Sequence, residues 1–405
     1  MLARTIIATL KKSARSFPAV VLTGPRQSGK TTLLQRIFGK THTYVSLENP
    51  DVRQRVLADP VGFIRSVKRG VILDEIQQAP ELFSYVKSSI DEDRRPGKWI
   101  ITGSQNFTLM RTVSESLAGR AAILTLLPFS VAEMKGEGAH SQEMKDALRD
   151  RDSIAHNSVS VGTILWKGLY PELSTHKQMD RDIWLGSYIN TYLERDIRNL
   201  QQVGDLRQYE VFLRACAMRT GQILDISGLA RDVGVSFTTA QRWLSLLETG
   251  YQLFFLQPYY KNYGKRLTKR PKLYFVDVGI ASYLLGFRSV SDITNSPLYG
   301  ALFETLVVSD ILKRYLHRGR SAPLYYVRTH DDLEIDVVIE ESQKLTLVEI
   351  KSTQTVRPSH ASSLLRLKRE WGDVVDRAVL ISNAHDELPI APGITHIPAE
   401  SFLMR

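Results

Sequence analysis

Short apolar runs and amphipathic stretches alternate along the first third of the chain. Ala19–Thr23 is a β-rich run that stops at Gly24, and Thr31–Phe38 has helical spacing. Tyr44–Leu47 predicts a short strand. Val52–Val67 predicts one helix presenting Val56, Phe63, Ile64 and Val67. Val71–Leu73 and Trp99–Thr102 predict two further strands. Strands alternating with helices imply a mostly parallel sheet covered on both faces, a three-layer α/β sandwich over residues 1–135. The texture changes after Met134. Lys135–Ser160 is polar and carries the run Arg149-Asp150-Arg151-Asp152, which reads as a linker or insertion, or as one exposed charged helix. Helical spacing resumes from Tyr170 to Leu256. From Tyr299 onward the pattern is mixed, with strands expected at Leu324–Arg328, Ile335–Ile339, Leu345–Lys351 and Arg377–Ser382. The expected division is 1–135, a polar stretch 136–160, a helical part 161–290 and an α/β module 291–405. No internal repeat of solenoid length is visible.

Composition narrows the class. The 405 residues are 43% hydrophobic and 24% charged, ordinary globular values that exclude wholesale disorder. The single cysteine, Cys216, cannot form an internal disulfide and excludes a zinc site built on several cysteines. That points to a reduced, cytoplasmic setting. Met1–Leu10 lacks a secretory layout, and no apolar run approaches the roughly 20 residues of a membrane span, so no membrane partner is expected. The net charge of +10 hints at a polyanionic partner.

The sharpest motif is Gly24-Pro25-Arg26-Gln27-Ser28-Gly29-Lys30-Thr31-Thr32, which fits the phosphate-loop pattern G-x-x-x-x-G-K-[ST]. Its glycines let backbone N–H groups turn toward phosphate oxygens, Lys30 neutralises the β/γ-phosphates of ATP, and Thr31 is a ligand for Mg²⁺. The helix that follows adds its positive dipole end. Val71-Ile72-Leu73-Asp74-Glu75 is an apolar strand ending in two acids. Asp74 is placed for the metal and Glu75 as catalytic base. The strand Trp99–Thr102 runs into Gly103-Ser104-Gln105-Asn106, in which Ser104, Gln105 and Asn106 are each candidates to orient water. Arg120 reads either as an arginine finger, within the chain or on a neighbouring subunit, or as a surface arginine.

Together, Gly24–Thr32, Val71–Glu75, Thr102-Gly103-Ser104 and Ser116–Arg120 resemble bacterial and archaeal ATPases of the AAA superfamily, in which an AAA-type domain precedes a C-terminal domain of unknown function. The resemblance implies ATP as ligand. Its motifs carry over onto Lys30, Thr31, Asp74 and Glu75, and more loosely onto Ser104 and Arg120. No lid arginine is identifiable.

Two further constellations lie downstream. Leu229–Ser236 followed by Phe237–Glu248 reads as helix, turn at Gly234, and a second helix capped by Ser236. That second helix would expose Thr238, Thr239, Gln241, Arg242 and Ser245. Strand-like Tyr251–Tyr260 and Lys272–Val276 flank a tip region holding Lys261, Lys265, Arg266, Lys269, Arg270 and Lys272. This predicts the basic wing of a winged helix, with DNA as candidate partner and protein docking as the alternative. Near the end, Asp336 and the pair Glu349 and Lys351 sit in apolar strands, with Glu304 in a helix-like run. Glu349 and Lys351, two apart, share one strand face. The set resembles the PD-(D/E)XK nuclease core, and equally a degenerate core kept for binding, or a salt-bridged strand pair.

The sequence therefore predicts an ATP- and Mg²⁺-dependent ATPase whose C-terminal half engages DNA. A DNA nuclease switched by ATP and a non-catalytic nucleotide-gated regulator stand beside it. A homo-oligomer is a candidate assembly, since a finger acting between subunits requires one.

Overall fold

Val20 and Leu22 turn to one face of the first strand and Ala19 and Val21 to the other, and all four are fully buried. Such a strand needs cover on both sides. The computed structural model describes residues 2–103, 116–139, 143–149, 160–191, 206–259, 270–329, 333–386 and 389–405. In it, β1 (Ala19–Thr23), β2 (Thr43–Ser46), β3 (Val71–Asp74), β4 (Trp99–Thr102) and β5 (Ala121–Thr125) form a parallel sheet in the order β2-β3-β4-β1-β5. Helices Ile6–Ser16 and Lys30–Phe38 cover one face through Ile6, Leu10, Leu33 and Leu34. Helix Leu82–Glu92 covers the other through Phe83, Val86 and Ile90. This is the three-layer α/β arrangement that the alternating pattern predicts.

The single helix expected over Val52–Val67 is two, Pro50–Ala58 and Pro60–Ser66. Asp59 leaves helical geometry at φ −143°, and its carboxylate accepts the Gly62 N–H at 2.8 Å. Pro60 has no N–H to continue the first helix but suits the start of the second. The polar stretch after Met134 is also not a free linker where it is described. Met144, Ala147 and Leu148 are buried in the same core as Val161 and Leu165, with the charged neighbours turned outward.

The rest of the chain builds a second, mixed sheet. Its strands are β6 (Gln222–Ile223), β7 (Leu253–Pro258), β8 (Lys272–Phe275), β9 (Leu324–Arg328), β10 (Glu334–Glu341), β11 (Lys344–Lys351), β12 (Val375–Ser382) and β13 (Thr395–Pro398). They lie in the order β13-β12-β11-β10-β9-β7-β8-β6. Helix Tyr299–Leu316 packs Leu302, Phe303 and Leu306 into a core with Val337, Val348 and Val379. Helix Ser362–Trp371 covers the opposite face, where Leu364 and Leu367 meet Ile335, Leu347 and Leu380. Across the expected boundary at 290/291 both core and sheet are continuous, because β7 pairs parallel with β9 at Gln257 and Tyr325.

Ahead of this sheet, helix Ile226–Val233 ends at Gly234 (φ +75°) and helix Phe237–Thr249 begins at Ser236, whose hydroxyl accepts the Thr239 N–H at 3.1 Å. Gly234 supplies the left-handed turn and Ser236 satisfies a free N–H. β7 and β8 pair antiparallel, β8 also pairs with β6, and the other edge of β7 is taken by β9; most of the expected basic tip, residues 260–269, lies outside the described residues. Among the described residues no helix is long and apolar enough to cross a membrane.

Candidate functional site

The phosphate-loop residues bend between β1 and helix Lys30–Phe38. Gly24 (φ +141°) passes so close to β5's continuation that a Cβ would stand 2.1 Å from the Leu126 carbonyl oxygen, so only glycine fits. Gln27 and Gly29 also take positive φ. Lys30 donates to the carbonyls of Gly24 and Pro25 at 2.9 and 2.8 Å, which holds its ammonium against the loop. Ser28 Oγ is buried without a hydrogen-bond partner. At the C-terminal end of β3, Asp74 accepts from the Thr31 hydroxyl at 3.0 and 3.1 Å and from the Tyr44 hydroxyl at 2.6 Å. Burial raises the Asp74 carboxyl above the ordinary range, against the hydrogen bond from Tyr44. A cation before Thr31 and Asp74 would offset that cost, so this oxygen pair suits Mg²⁺. Glu75 stands in left-handed geometry at φ +55° and accepts a hydrogen bond from Gln77. Such a conformation costs on the order of 1–3 kcal/mol and is a feature of functional positions.

Arg26–Leu33, Glu48 and Glu75 line a cleft of about 810 Å³. Its opposite wall comes from helices Pro171–Thr175 and Arg181–Thr191, with Trp184 stacked on Tyr188 at 5.3 Å between ring centroids. Sequence pattern gave no sign of that wall, since it depends on how two distant segments pack. The loop is tied to the C-terminal half as well. Arg4 donates to the carbonyls of Ser28 and Leu127 and pairs with buried Glu133 at 3.3 Å. Glu133 lies 3.1 Å from His317 Nδ1, and His317 Nε2 accepts the Leu127 N–H. Burial alone would raise the Glu133 carboxyl, but Arg4 and then His317 hold it well below the usual range. Nearby, the Val131 N–H donates to Asp310 of helix Tyr299–Leu316 at 2.8 Å. Thr23 at the end of β1 shares a 2.8 Å hydrogen bond with the Tyr251 hydroxyl.

The C-terminal set assembles. Asp336 on β10 accepts the Ile350 N–H at 2.7 Å, which places it between Glu349 and Lys351. Those two share a face of β11, with Lys351 Nζ 2.6 Å from Glu349. Glu304 faces the same cluster from helix Tyr299–Leu316. Burial, then the Asp336 charge, pushes the Glu349 carboxyl up to about 8 and the Glu304 carboxyl up to about 7. Lys272 does not belong to a basic tip: it is 2% exposed at the start of β8 and points into this acidic cluster. Its alternation with Tyr274 in an otherwise apolar strand was the available signal. Among the described residues no three His, Cys, Asp or Glu side chains are placed to hold a metal ion.

The remaining candidates scatter. Arg120 makes a two-pronged ion pair with Asp91 at 2.7 and 3.0 Å. Its backbone carbonyl accepts from Ala19, at the end of β1 remote from the phosphate loop, so within its own chain the side chain sits at the opposite end of the strands. Arg242 is exposed on helix Phe237–Thr249, and Arg270 is exposed with Asp225 3.6 Å away. Ser104, Lys261, Lys265, Arg266 and Lys269 lie outside the described residues.

Against known proteins, residues 16–135 match the family described as "AAA domain". Residues 160–291 and 299–402 match two domains of unknown function, DUF8612 and DUF4143. Two curated relatives, the uncharacterized proteins Mb2031c of Mycobacterium bovis and Rv2008c of Mycobacterium tuberculosis, are each 31% identical over 409 residues, covering 99% of this chain and 84% of theirs. Among solved structures, the "walker-type atpase paby2304" of Pyrococcus abyssi is 16% identical at a TM-score of 0.44, covering 70% of this chain and 96% of that one. The RuvB Holliday junction branch migration motor of Thermotoga maritima is 18% identical at a TM-score of 0.30, covering 62% and 89%.

Proposed function

The chain belongs to the same family as the mycobacterial proteins Mb2031c and Rv2008c and carries an AAA-type ATPase domain, and on that premise we propose that it hydrolyses ATP to gate a C-terminal half that engages DNA. The observation that carries this reading is one cleft lined by Lys30, Thr31 and Glu75, with Asp74 hydrogen-bonded to Thr31 behind it. Lys30 and the loop N–H groups bind the β/γ-phosphates. Thr31 and Asp74 would hold Mg²⁺, which when bound draws charge from those phosphates. Glu75, positioned by Gln77, takes the proton of the attacking water. Arg4 joins the loop carbonyl of Ser28 to Glu133 and through it to His317, so a change in loop geometry has a direct route into the C-terminal half. Arg120 can serve a neighbouring subunit's nucleotide only in a homo-oligomer where its pair with Asp91 opens. Support for DNA is the helix pair Ile226–Val233 and Phe237–Thr249 with exposed Arg242, followed in the sequence by the basic stretch Lys261–Arg270.

A second reading, DNA cleavage switched by ATP, draws support from Glu304, Asp336, Glu349 and Lys351 sharing one cluster.

The test is an ATPase assay on the purified chain with and without DNA. Wild type should turn over ATP. Lys30→Ala should lose nucleotide binding, and Glu75→Gln should keep binding while turnover falls by about 10²- to 10⁴-fold. Binding without turnover in wild type would replace the enzyme with a nucleotide-gated regulator. Charge reversal at Lys265, Arg266, Lys269 and Arg270 should weaken DNA binding and flatten its salt dependence; no change there points to a protein partner.

A further inference from the structure

The acidic cluster of the second sheet is built around a cation of its own. Lys272 Nζ lies 3.2 Å from Glu304, 2.5 Å from Glu334 and 3.6 Å from Asp336. Its side chain is 3% exposed, and the Tyr326 ring lies 5.6 Å from the ammonium. Tyr274, two residues along and on the same face of β8, donates its hydroxyl to Glu304 at 2.5 Å. The acids come from helix Tyr299–Leu316 and β10, and the lysine from the hairpin that follows the helix-turn-helix.

Burying an ammonium is costly unless opposite charges surround it. Burial alone would lower the Lys272 ammonium, but Glu304, Asp336 and Glu334 hold it well above the ordinary lysine range. Its acidic neighbours thus favour the charged form. A divalent ion bound by these carboxylates needs oxygens at about 2.0–2.6 Å around one point. That point and the ammonium compete for the same acids, and like charges so close repel strongly. Glu349 has one oxygen already paired with Lys351 and the other buried without a hydrogen bond, and burial raises its carboxyl above the ordinary range.

We infer that Lys272 is the resident cation of this cluster and closes the acid–acid–lysine set to Mg²⁺ and Mn²⁺ for as long as β8 stays in the sheet. The closure belongs to the seam between the two C-terminal segments. It disfavours the DNA-cleaving reading of the folded chain and does not depend on whether the N-terminal domain turns over ATP.

The test uses full-length, nucleotide-free protein, Mn²⁺ as probe and the paramagnetic resonance signal of the free ion. Wild type, Asp336→Asn and Glu349→Gln should deplete that signal equally. Lys272→Met should take up one additional Mn²⁺, lost again when Glu349→Gln is added. Wild-type binding that falls with Glu349→Gln overturns the inference, and so does a folded Lys272→Met that takes up none. Should Lys272→Met fail to fold, the thermal midpoint of wild type decides. A midpoint unmoved by millimolar Mn²⁺ supports the closure, and a rise that Glu349→Gln abolishes refutes it.

Discussion

Glu349 is a carboxyl group that the fold prefers neutral. Its ordinary value of 4.5 is pushed up to about 8 by burial and by the Asp336 charge, and Glu304 moves the same way, up to about 7. Between those limits the folded chain holds protons that the unfolded chain has released. The contribution is therefore full below about pH 4.5 and is lost as the pH rises through about 8. Urea midpoints should fall across that window. Glu349→Gln, which fixes the neutral shape, should flatten the slope and leave the midpoint higher at the alkaline end. The acid-x-lysine pair was legible because residues two apart in a strand must share a face. Lys272 was legible only through its alternation with Tyr274, since its neighbours in sequence are basic while its neighbours in space are acidic.

Segments follow the same division between local and distant causes. The strand expected at Leu324–Arg328 is found with those bounds, and those expected at Ile335–Ile339, Leu345–Lys351 and Arg377–Ser382 lie inside β10, β11 and β12. Each is an apolar run that any buried sheet would impose. The helix-turn-helix was legible through the turn glycine Gly234 and the cap at Ser236, both local signals. Ser236→Ala should cost about 1 kcal/mol in denaturant unfolding, with Ser236→Asp restoring most of it. The break at Pro60 was written in the sequence too, although apolar spacing ran through it. The β7–β9 pairing left no local trace, because Gln257 and Tyr325 meet only after the intervening chain has folded.

At the scale of the whole molecule, the two halves share a buried ionic seam of Arg4, Glu133 and His317, each nearly inaccessible. Removing one partner of a buried pair leaves a charge without compensation, at a cost of about 3–5 kcal/mol. Arg4→Ala should therefore destabilise the chain by that order. His317→Ala, which removes the second half's partner to Glu133 and to the Leu127 N–H, should loosen the tie between the halves and split a single calorimetric transition into two. An unchanged single transition would show that the remaining contacts, among them the Val131–Asp310 hydrogen bond, suffice to hold the halves together.

The parallel pairing of β7 with β9 has a consequence for how this architecture can be inherited. Family boundaries assign β7 to one segment and β9 to the next. Each strand nevertheless supplies hydrogen-bonding partners that the other would otherwise leave open at a sheet edge. The two family segments therefore share one sheet. Neither can be exchanged for a foreign counterpart unless the incoming piece restores that edge, and this favours their passing together from one protein to its descendants.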